Sequence, residues 1–261
     1  MFDLGVYANG LTVALVLAVA AWIFGTARRD VSIVDSLWSL FFLAMTVTYL
    51  ASAPALAERA YLLLFLVTVW AVRLSLFITL RNWGQPEDHR YQAIRADNEP
   101  GFWYKSLYIV FGLQAILAWI ISLPLLGTVL GGAPLGWLDF FAVALWLVGF
   151  GFEALGDQQL ARFKADPANR GKVLDSGLWR YTRHPNYFGE ACMWWAFYLL
   201  ALAAGAWWTI IGPVLMTFLL LRVSGVSLLE KDITERRPAY RDYIRRTNAF
   251  FPGPPKPPQS T

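Results

Sequence analysis

Residues 5–24 read GVYANGLTVALVLAVAAWIF, a stretch of twenty residues without a charged side chain. A helix of about 20 apolar residues crosses the ~30 Å hydrocarbon core of a bilayer. A helix also satisfies its own backbone hydrogen bonds, which lipid cannot do for it. No positively charged segment precedes the stretch and no small-residue cleavage site follows it, so it predicts a retained membrane helix and not a signal peptide.

Six further apolar runs of similar length follow, at residues 33–53, 60–80, 106–126, 136–154, 187–204 and 206–228. Of the 261 residues, 57% are hydrophobic and only 15% are charged, whereas soluble domains carry about 25% charged residues. The sequence therefore predicts an all-α fold, a polytopic membrane bundle of about seven transmembrane helices. We expect a single seven-helix domain over residues 1–253 and a disordered, proline-rich tail over residues 254–261.

Positive charge is concentrated in alternate connections between the predicted helices. The connections after the first, third and fifth helices and the C-terminal segment are rich in Lys and Arg, whereas the connections on the other side hold only Arg59. Because cytoplasmic loops of membrane proteins carry the excess of Lys and Arg, we predict that the N-terminus faces out and that the C-terminus is cytoplasmic. This orientation requires an odd number of spans, which seven satisfies.

Ionisable residues also occur within or at the ends of the apolar runs. They are Asp35, Arg73, Glu153, Glu190 and Arg222. Such side chains are costly in lipid and usually face the bundle interior, where they pair or bind a ligand. Together they favour a polar cavity open to the cytoplasm; structural ion pairs, for example of Asp35 with Arg73 or Arg29, are the alternative interpretation. One cysteine and two histidines do not provide a Cys- or His-built metal centre, so we predict no metal site.

The stretch at residues 176–190, SGLWRYTRHPNYFGE, combines a turn with the start of a helix. Pro185 is favourable at the first position of a helix, where its missing N–H costs nothing. Asn186 and Glu190 are then four residues apart and share one helix face. This spacing predicts that their two side chains point together into the bundle.

Two arginines of the same stretch, Arg180 and Arg183, lie just before this predicted helix N-terminus. Backbone N–H groups at a helix N-terminus favour an anion. One interpretation is therefore a phosphate held by the arginines, with an amide or a sugar hydroxyl held by Asn186 and Glu190. The other is a basic juxtamembrane turn that binds lipid headgroups. The residue pattern leaves both open.

The same stretch resembles the signature of the steroid 5-alpha-reductase family and its sterol-reductase relatives, and the whole chain is similar to the bacterial branch. The resemblance extends to SIVD at residues 32–35 with Trp38, to residues 81–91 and to residues 114–124. Isoprenylcysteine carboxyl methyltransferases share an Arg-His-Pro-x-Tyr-x-Gly core. The Asn186 side chain followed by YFGE favours the reductases.

The resemblance implies NADPH-dependent reduction of a carbon–carbon double bond conjugated to a ketone, in a lipophilic substrate such as a 3-oxo-4-ene steroid. It implies that NADPH is held in a cytoplasm-facing cavity of a seven-helix bundle. We therefore expect an integral protein of a bacterial inner membrane, with the lipid bilayer and a steroid-like enone as its partners and no nucleic acid.

The resemblance also assigns cofactor contacts. Asn186 and Glu190 match positions at the nicotinamide end, and Lys164 stands in place of a nucleotide-contacting arginine. Phosphates of NADPH suit basic side chains, and Arg170 is one further candidate for the 2′-phosphate. The predicted cofactor-binding residues are Asn82, Asp157, Lys164, Lys172, Arg180, Arg183, His184, Asn186, Tyr187, Glu190, Arg222 and Glu230.

For the chemical step, the resemblance implies a Tyr and a Glu that polarise the ketone oxygen. Asp35 stands where the Glu is expected, one methylene shorter, and its protonated carboxyl would donate a hydrogen bond to the ketone. The third apolar run offers WAVR at residues 70–73 and no tyrosine at the expected place, so Tyr91 becomes the second catalytic candidate.

Two other functions stay open on the sequence. One is an S-adenosylmethionine-dependent membrane methyltransferase, although the many cytoplasmic arginines favour a phosphorylated cofactor. The other is a non-catalytic lipid-binding membrane protein, for which the missing tyrosine is the best support.

Overall fold

The described chain is built from helices. The computed structural model describes residues 2–223, 225–226, 230, 233–236 and 238–256, and no β-strand occurs among them. In chain order the helices are α1 (Leu4–Arg28), α2 (Ile33–Ser52), α3 (Glu58–Asn82), α4 (His89–Asn98), α5 (Phe102–Ile121), α6 (Leu123–Val129), α7 (Trp137–Ala165), α8 (Pro185–Ala203), α9 (Trp207–Val223), α10 (Ile233–Arg236) and α11 (Tyr240–Arg246).

Five of these helices, α1, α2, α3, α5 and α7, are long and apolar enough to cross a membrane, and α9 is a shorter apolar helix. α8 has 19 residues but is less apolar because Asn186 and Glu190 lie near its start. The prediction of an all-helical, polytopic membrane protein is confirmed. Its orientation stays a prediction.

The predicted apolar runs coincide with helices, and their limits follow the expected local signals. The run at 106–126 continues from α5 into α6. Pro185 is the first residue of α8, as the sequence indicated, and α7 ends at Ala165, two residues before Pro167. The last run was expected to reach residue 228, but residues 224 and 227–228 lie outside the described residues.

By its internal contacts the chain divides into two compact units. The first unit comprises Met1–Asp139 and Leu200–Gly212, and the second comprises Phe140–Leu199 and Pro213–Thr261. The expected disordered tail falls at the end of the second unit. Of that tail, residues 254–256 are described, and the backbone N–H of Lys256 donates to the Arg246 carbonyl over 2.8 Å; residues 257–261 lie outside the described residues.

In the first unit, α2 packs against both α1 and α3, and α1 also packs along α5. The Tyr49 hydroxyl and the Ser122 hydroxyl are hydrogen-bonded at 2.7 Å. The rings of Tyr7 and Trp119 stack with 4.1 Å between centroids. The buried hydroxyl of Tyr49 thus finds a hydrogen-bond partner inside the unit, as is usual for a buried tyrosine.

The first unit also contains a fully buried ion pair. Arg59 donates from Nε to Asp139 Oδ1 over 2.6 Å and from Nη2 to Oδ2 over 2.8 Å. Its other donors reach the carbonyl oxygens of Ala133 and Pro134. Arg59 was the one cation expected in the connections opposite the basic side. A carboxylate therefore neutralises this cation inside the protein.

In the second unit, α7 and α8 approach each other closely at two glycines. A Cβ atom added to Gly149 would lie 2.6 Å from the Gly189 carbonyl oxygen, and one added to Gly189 would lie 2.5 Å from the Glu153 backbone nitrogen. Membrane helices use small residues in this way to bring their backbones together. The two glycines therefore set the distance between the helices that carry Glu153, Asp157, Asn186 and Glu190.

We expect Gly189→Ala to destabilise the protein by about 1–3 kcal/mol, because the added methyl group overpacks the helix crossing. Gly151→Ala on α7 is the matched control, since no atom lies within 4 Å of a Cβ at Gly151. Alanine there should be neutral or stabilising, because glycine is the weaker helix former. Thermal unfolding in one detergent compares the two; equal stability of both variants would contradict the close crossing.

Candidate functional site

A short helix outside the apolar runs, α4, is fixed to the start of α2 by its first residues. Asp88 caps α4 by accepting a hydrogen bond from the Arg90 backbone N–H over 2.9 Å, which is the usual role of an acidic N-cap. The backbone N–H of Asp88 donates to the Ser32 hydroxyl over 3.0 Å. Glu87 accepts a hydrogen bond from the Val31 backbone N–H over 2.9 Å. These bonds position the first turn of α4 beside the first turn of α2.

This docking brings the two predicted catalytic residues together. The Tyr91 hydroxyl donates to Asp35 Oδ1 over 2.5 Å. Arg90 donates from Nη2 to Asp35 Oδ2 over 2.6 Å. From α5, the Gln114 amide donates to the Tyr91 oxygen over 3.2 Å. We call these four residues, Asp35, Arg90, Tyr91 and Gln114, the Asp35 cluster.

The ion-pair partner of Asp35 differs from the one that the sequence suggested. The alternative interpretation named Arg73 or Arg29, but the partner is Arg90, because α4 folds back onto the start of α2. Both Asp35 oxygens are hydrogen-bonded to α4, one to Arg90 and one to Tyr91. The role of Asp35 as a donor to a ketone stays a prediction.

Two residues of α4, Arg90 and Tyr91, have pKa values above their ordinary values. Burial first, and then the negative charge of Asp35, raise the pKa of Tyr91. Burial alone would lower the pKa of Arg90, but its hydrogen bond to Asp88 and the charge of Asp35 raise it overall. At neutral pH, Tyr91 therefore keeps its proton and Arg90 its positive charge.

In the second unit, the predicted nicotinamide-end residues lie where α7 and α8 cross. The Asn186 amide donates to Asp157 Oδ1 over 3.3 Å, which joins two of the predicted cofactor residues. Glu190 lies one turn further along α8. Three acidic residues at the crossing are each at most 7% exposed: Glu153, Asp157 and Glu190. The crossing therefore holds three buried carboxyl groups and one half-buried amide.

Arg183, His184 and Glu230 form a second group that the sequence placed among the cofactor contacts. Arg183 donates from Nε and Nη2 to the two Glu230 oxygens over 2.7 and 2.8 Å. Its Nη1 donates to the carbonyl oxygens of Ile244 and Thr247. The His184 Nε2 atom lies 2.9 Å from Glu230 Oε1. Arg183 thus holds the C-terminal segment, and its prediction as a phosphate contact stays a prediction.

Glu230 is strongly influenced by these neighbours. Burial would raise its pKa, but hydrogen bonds from His184 and Arg183 and the charge of Arg183 outweigh burial and lower the pKa to about 2. The carboxylate is therefore ionised through the physiological range.

The remaining predicted cofactor residues are one aromatic residue beside His184, one residue of the first unit and four exposed cations. Tyr187 stacks on the His184 ring with 5.6 Å between centroids. Asn82, at the end of α3, accepts a hydrogen bond from Arg81 and is the one predicted cofactor residue that belongs to the first unit. The exposed cations among the predicted residues are Lys164, Lys172, Arg180 and Arg222.

Sequence reasoning missed two residues of the Asp35 cluster, Arg90 and Gln114. Both lie in stretches that carried the resemblance, but neither stood out by its own residue type. The usable signal was the run at residues 84–91, where a cation directly precedes the one tyrosine of a polar segment.

The comparisons with known proteins place the chain in a family. The family described as a protein of unknown function, DUF1295, matches residues 21–247. The chain belongs to this family. DUF1295 lies in the steroid 5-alpha-reductase-like superfamily, which confirms the resemblance at that broader level; membership in the steroid reductase family itself stays a prediction.

A relative of this protein comes from fission yeast. The chain is 28% identical over 281 residues to the "Uncharacterized protein C594.04c" of Schizosaccharomyces pombe, an alignment that covers 93% of this chain and 78% of the yeast protein. No solved structure matches the chain significantly.

Glu230→Gln should make the thermal stability of the protein depend less on pH in the acidic range. Because the folded-state pKa of Glu230 lies below its ordinary value of 4.5, its contribution is complete above about pH 4.5 and is lost as the pH falls toward 2. We expect the thermal midpoint of the wild type to exceed that of the variant near neutral pH, with a difference that shrinks on acidification. Glu235→Gln, at an exposed position of α10, is the control. A difference independent of pH would count against the paired state.

Proposed function

We propose that the chain reduces the carbon–carbon double bond of an enone in a lipophilic substrate, a 3-oxo-4-ene steroid or a similar compound, with NADPH as the reductant. The observation that carries the proposal is the Asp35 cluster. It presents a buried phenol with a raised pKa in direct hydrogen bond to a carboxylate whose charge Arg90 compensates. This arrangement supplies a neutral hydrogen-bond donor for a ketone oxygen.

Tyr91 is the donor in this proposal. Its hydroxyl would turn from Asp35 to the ketone oxygen of the substrate, and Asp35 and Gln114 hold the phenol in place before that step. Asp35 keeps Arg90 as its partner and is then a positioning residue. Preorganised donors of this kind stabilise the negative charge that develops on the oxygen of an enolate.

The α7–α8 crossing has the chemistry that a nicotinamide needs. The carboxamide of that ring both donates and accepts hydrogen bonds, and Asn186 and Glu190 offer an amide and a carboxyl group one helical turn apart. Exposed cations at Lys164 and Lys172 suit the phosphates of the cofactor. NADPH, when bound, supplies the hydride for the β-carbon, and a proton completes the reduction at the α-carbon.

Removing the Tyr91 hydroxyl should abolish most of the turnover and leave the protein folded. We expect Tyr91→Phe to lose about 10²–10³-fold in single-turnover oxidation of NADPH with an accepted enone, as for loss of one oxyanion-type donor. Tyr61→Phe is the matched control, because Tyr61 is 59% exposed on α3. Asp35→Asn keeps the size of the side chain. Because Asp35 is not a predicted cofactor contact, this variant should still bind NADPH.

Near-wild-type turnover of Tyr91→Phe at normal stability would place the donor elsewhere. Asp35→Leu distinguishes positioning from folding, because it removes one of the two carboxylates that Arg90 binds, the other being that of Asp88. If the pair is structural, the variant should be destabilised, by less than the ~3–5 kcal/mol that follows when a buried charge is left with no partner. A folded Asp35→Leu variant with full turnover would exclude Asp35 from the reaction.

Cofactor binding can be tested without any substrate. Asn186→Ala should weaken NADPH binding by about 0.5–1.5 kcal/mol, which is the cost of one hydrogen bond, and Glu190→Ala should act in the same direction. Asn9→Ala, at an exposed position of α1, is the control, and circular dichroism checks the fold. Titration with S-adenosylmethionine runs in parallel. Binding of S-adenosylmethionine and not of NADPH would favour the methyltransferase instead.

A further inference from the structure

A basic pocket lies on the second unit, separate from the α7–α8 crossing. Its volume is about 490 Å³, and its charged lining consists of Asp175, Arg180, Arg246 and Lys256. We call it the Arg180 pocket. The pocket joins the turn before α8 to the C-terminal segment, so two stretches far apart in the sequence form its walls. Its size is within the range of small-ligand sites in proteins.

Hydrogen bonds to the rest of the unit fix both walls of the Arg180 pocket. In the first wall, Trp179 donates from its indole nitrogen to the Gly156 carbonyl over 3.0 Å, and the Tyr243 hydroxyl donates to the Trp179 carbonyl. In the second wall, the backbone N–H of Gly253 donates to the Tyr181 carbonyl over 3.1 Å. A ligand therefore meets a pocket whose backbone is already in place.

The charge of the pocket is unbalanced. Three cations face one carboxylate, a formal excess of +2. Arg246 pairs with Asp175 at 3.1 Å. Arg180 and Lys256 are exposed, and among the described residues neither side chain has a hydrogen bond or ion pair. The pocket therefore offers two cations that are ready to bind an anion.

The contrast with Arg183 shows which arginine of residues 176–190 is available to bind an anion. Arg183 is three residues from Arg180, but it is 7% exposed and holds Glu230 and the C-terminal carbonyl groups. Arg180 points into an open pocket. A phosphate monoester carries up to two negative charges and several acceptor oxygens, which matches an excess of two cations with guanidinium and ammonium donors.

We propose that the Arg180 pocket binds a phosphate group, either that of an anionic lipid headgroup or that of a soluble phosphate. Exposed aromatic side chains at Tyr181 (44%) and Phe251 (70%) flank the pocket in the chain, and aromatic residues are typical of membrane interfaces. The proposal stands whether or not the chain binds NADPH.

The test uses the full chain in a neutral detergent and has two arms. In the first arm, native mass spectrometry counts bound phosphatidic acid against phosphatidylcholine. In the second arm, calorimetry measures the binding of inorganic phosphate. Arg180→Gln with Lys256→Gln removes both available cations. Arg162→Gln with Arg241→Gln removes the same charge at exposed positions of the same unit outside the pocket.

We expect the Arg180/Lys256 variant to lose at least about tenfold in affinity, since a cation near a phosphate contributes roughly 1 kcal/mol. The Arg162/Arg241 control should bind like the wild type. A selective loss for phosphatidic acid alone supports a lipid phosphate, and a selective loss for inorganic phosphate supports a soluble one. Equal binding by all three proteins in both arms, or an equal loss in the control, overturns the proposal.

Discussion

A charge inside an apolar helical protein must be compensated where it lies, and this constraint shapes both units. Moving an isolated ion out of water costs several kcal/mol even after the protein relaxes. Arg59 is compensated by Asp139, and Arg183 by Glu230. In each pair the remaining donors reach backbone carbonyl oxygens. Arg59 thereby holds the connection between α6 and α7, and Arg183 holds the C-terminal segment at the end of α11.

The same constraint gives the connections their functional positions. Asp35 lies in the first turn of an apolar helix, and its partners come from α4, the segment between two membrane helices. α4 can provide them because Asp88 both caps it and binds Ser32. A polar connection is thus held in a fixed place at the end of a membrane helix, which is where the proposed reaction needs its proton donor.

The helices could be predicted from the sequence because the signal is local: about 20 apolar residues in a row need no knowledge of their neighbours. The partners of the charged side chains could not be predicted in the same way. The sequence suggested Arg73 or Arg29 as the partner of Asp35, whereas the actual partner, Arg90, depends on the path of α4, whose start the Asp88 cap fixes. Arg180 and Arg183 looked equivalent in the sequence, but one is exposed and the other is buried. That difference follows from where the C-terminal segment returns, a long-range contact with no local pattern.

The third apolar run has no tyrosine at the expected place, and the tyrosine that contacts Asp35 comes from α4 instead. Arg90 and Tyr91 are adjacent, and each contacts a different oxygen of the same carboxylate. One short helix therefore provides both the charge that stabilises Asp35 and the hydroxyl that Asp35 orients. Because both bonds depend on the docking of α4, a shift of this helix would release the phenol and strand the carboxylate together. The donor and its support are thus a single unit that forms or fails as a whole, and a tyrosine on α3 would have needed a separate partner for the charge of Asp35.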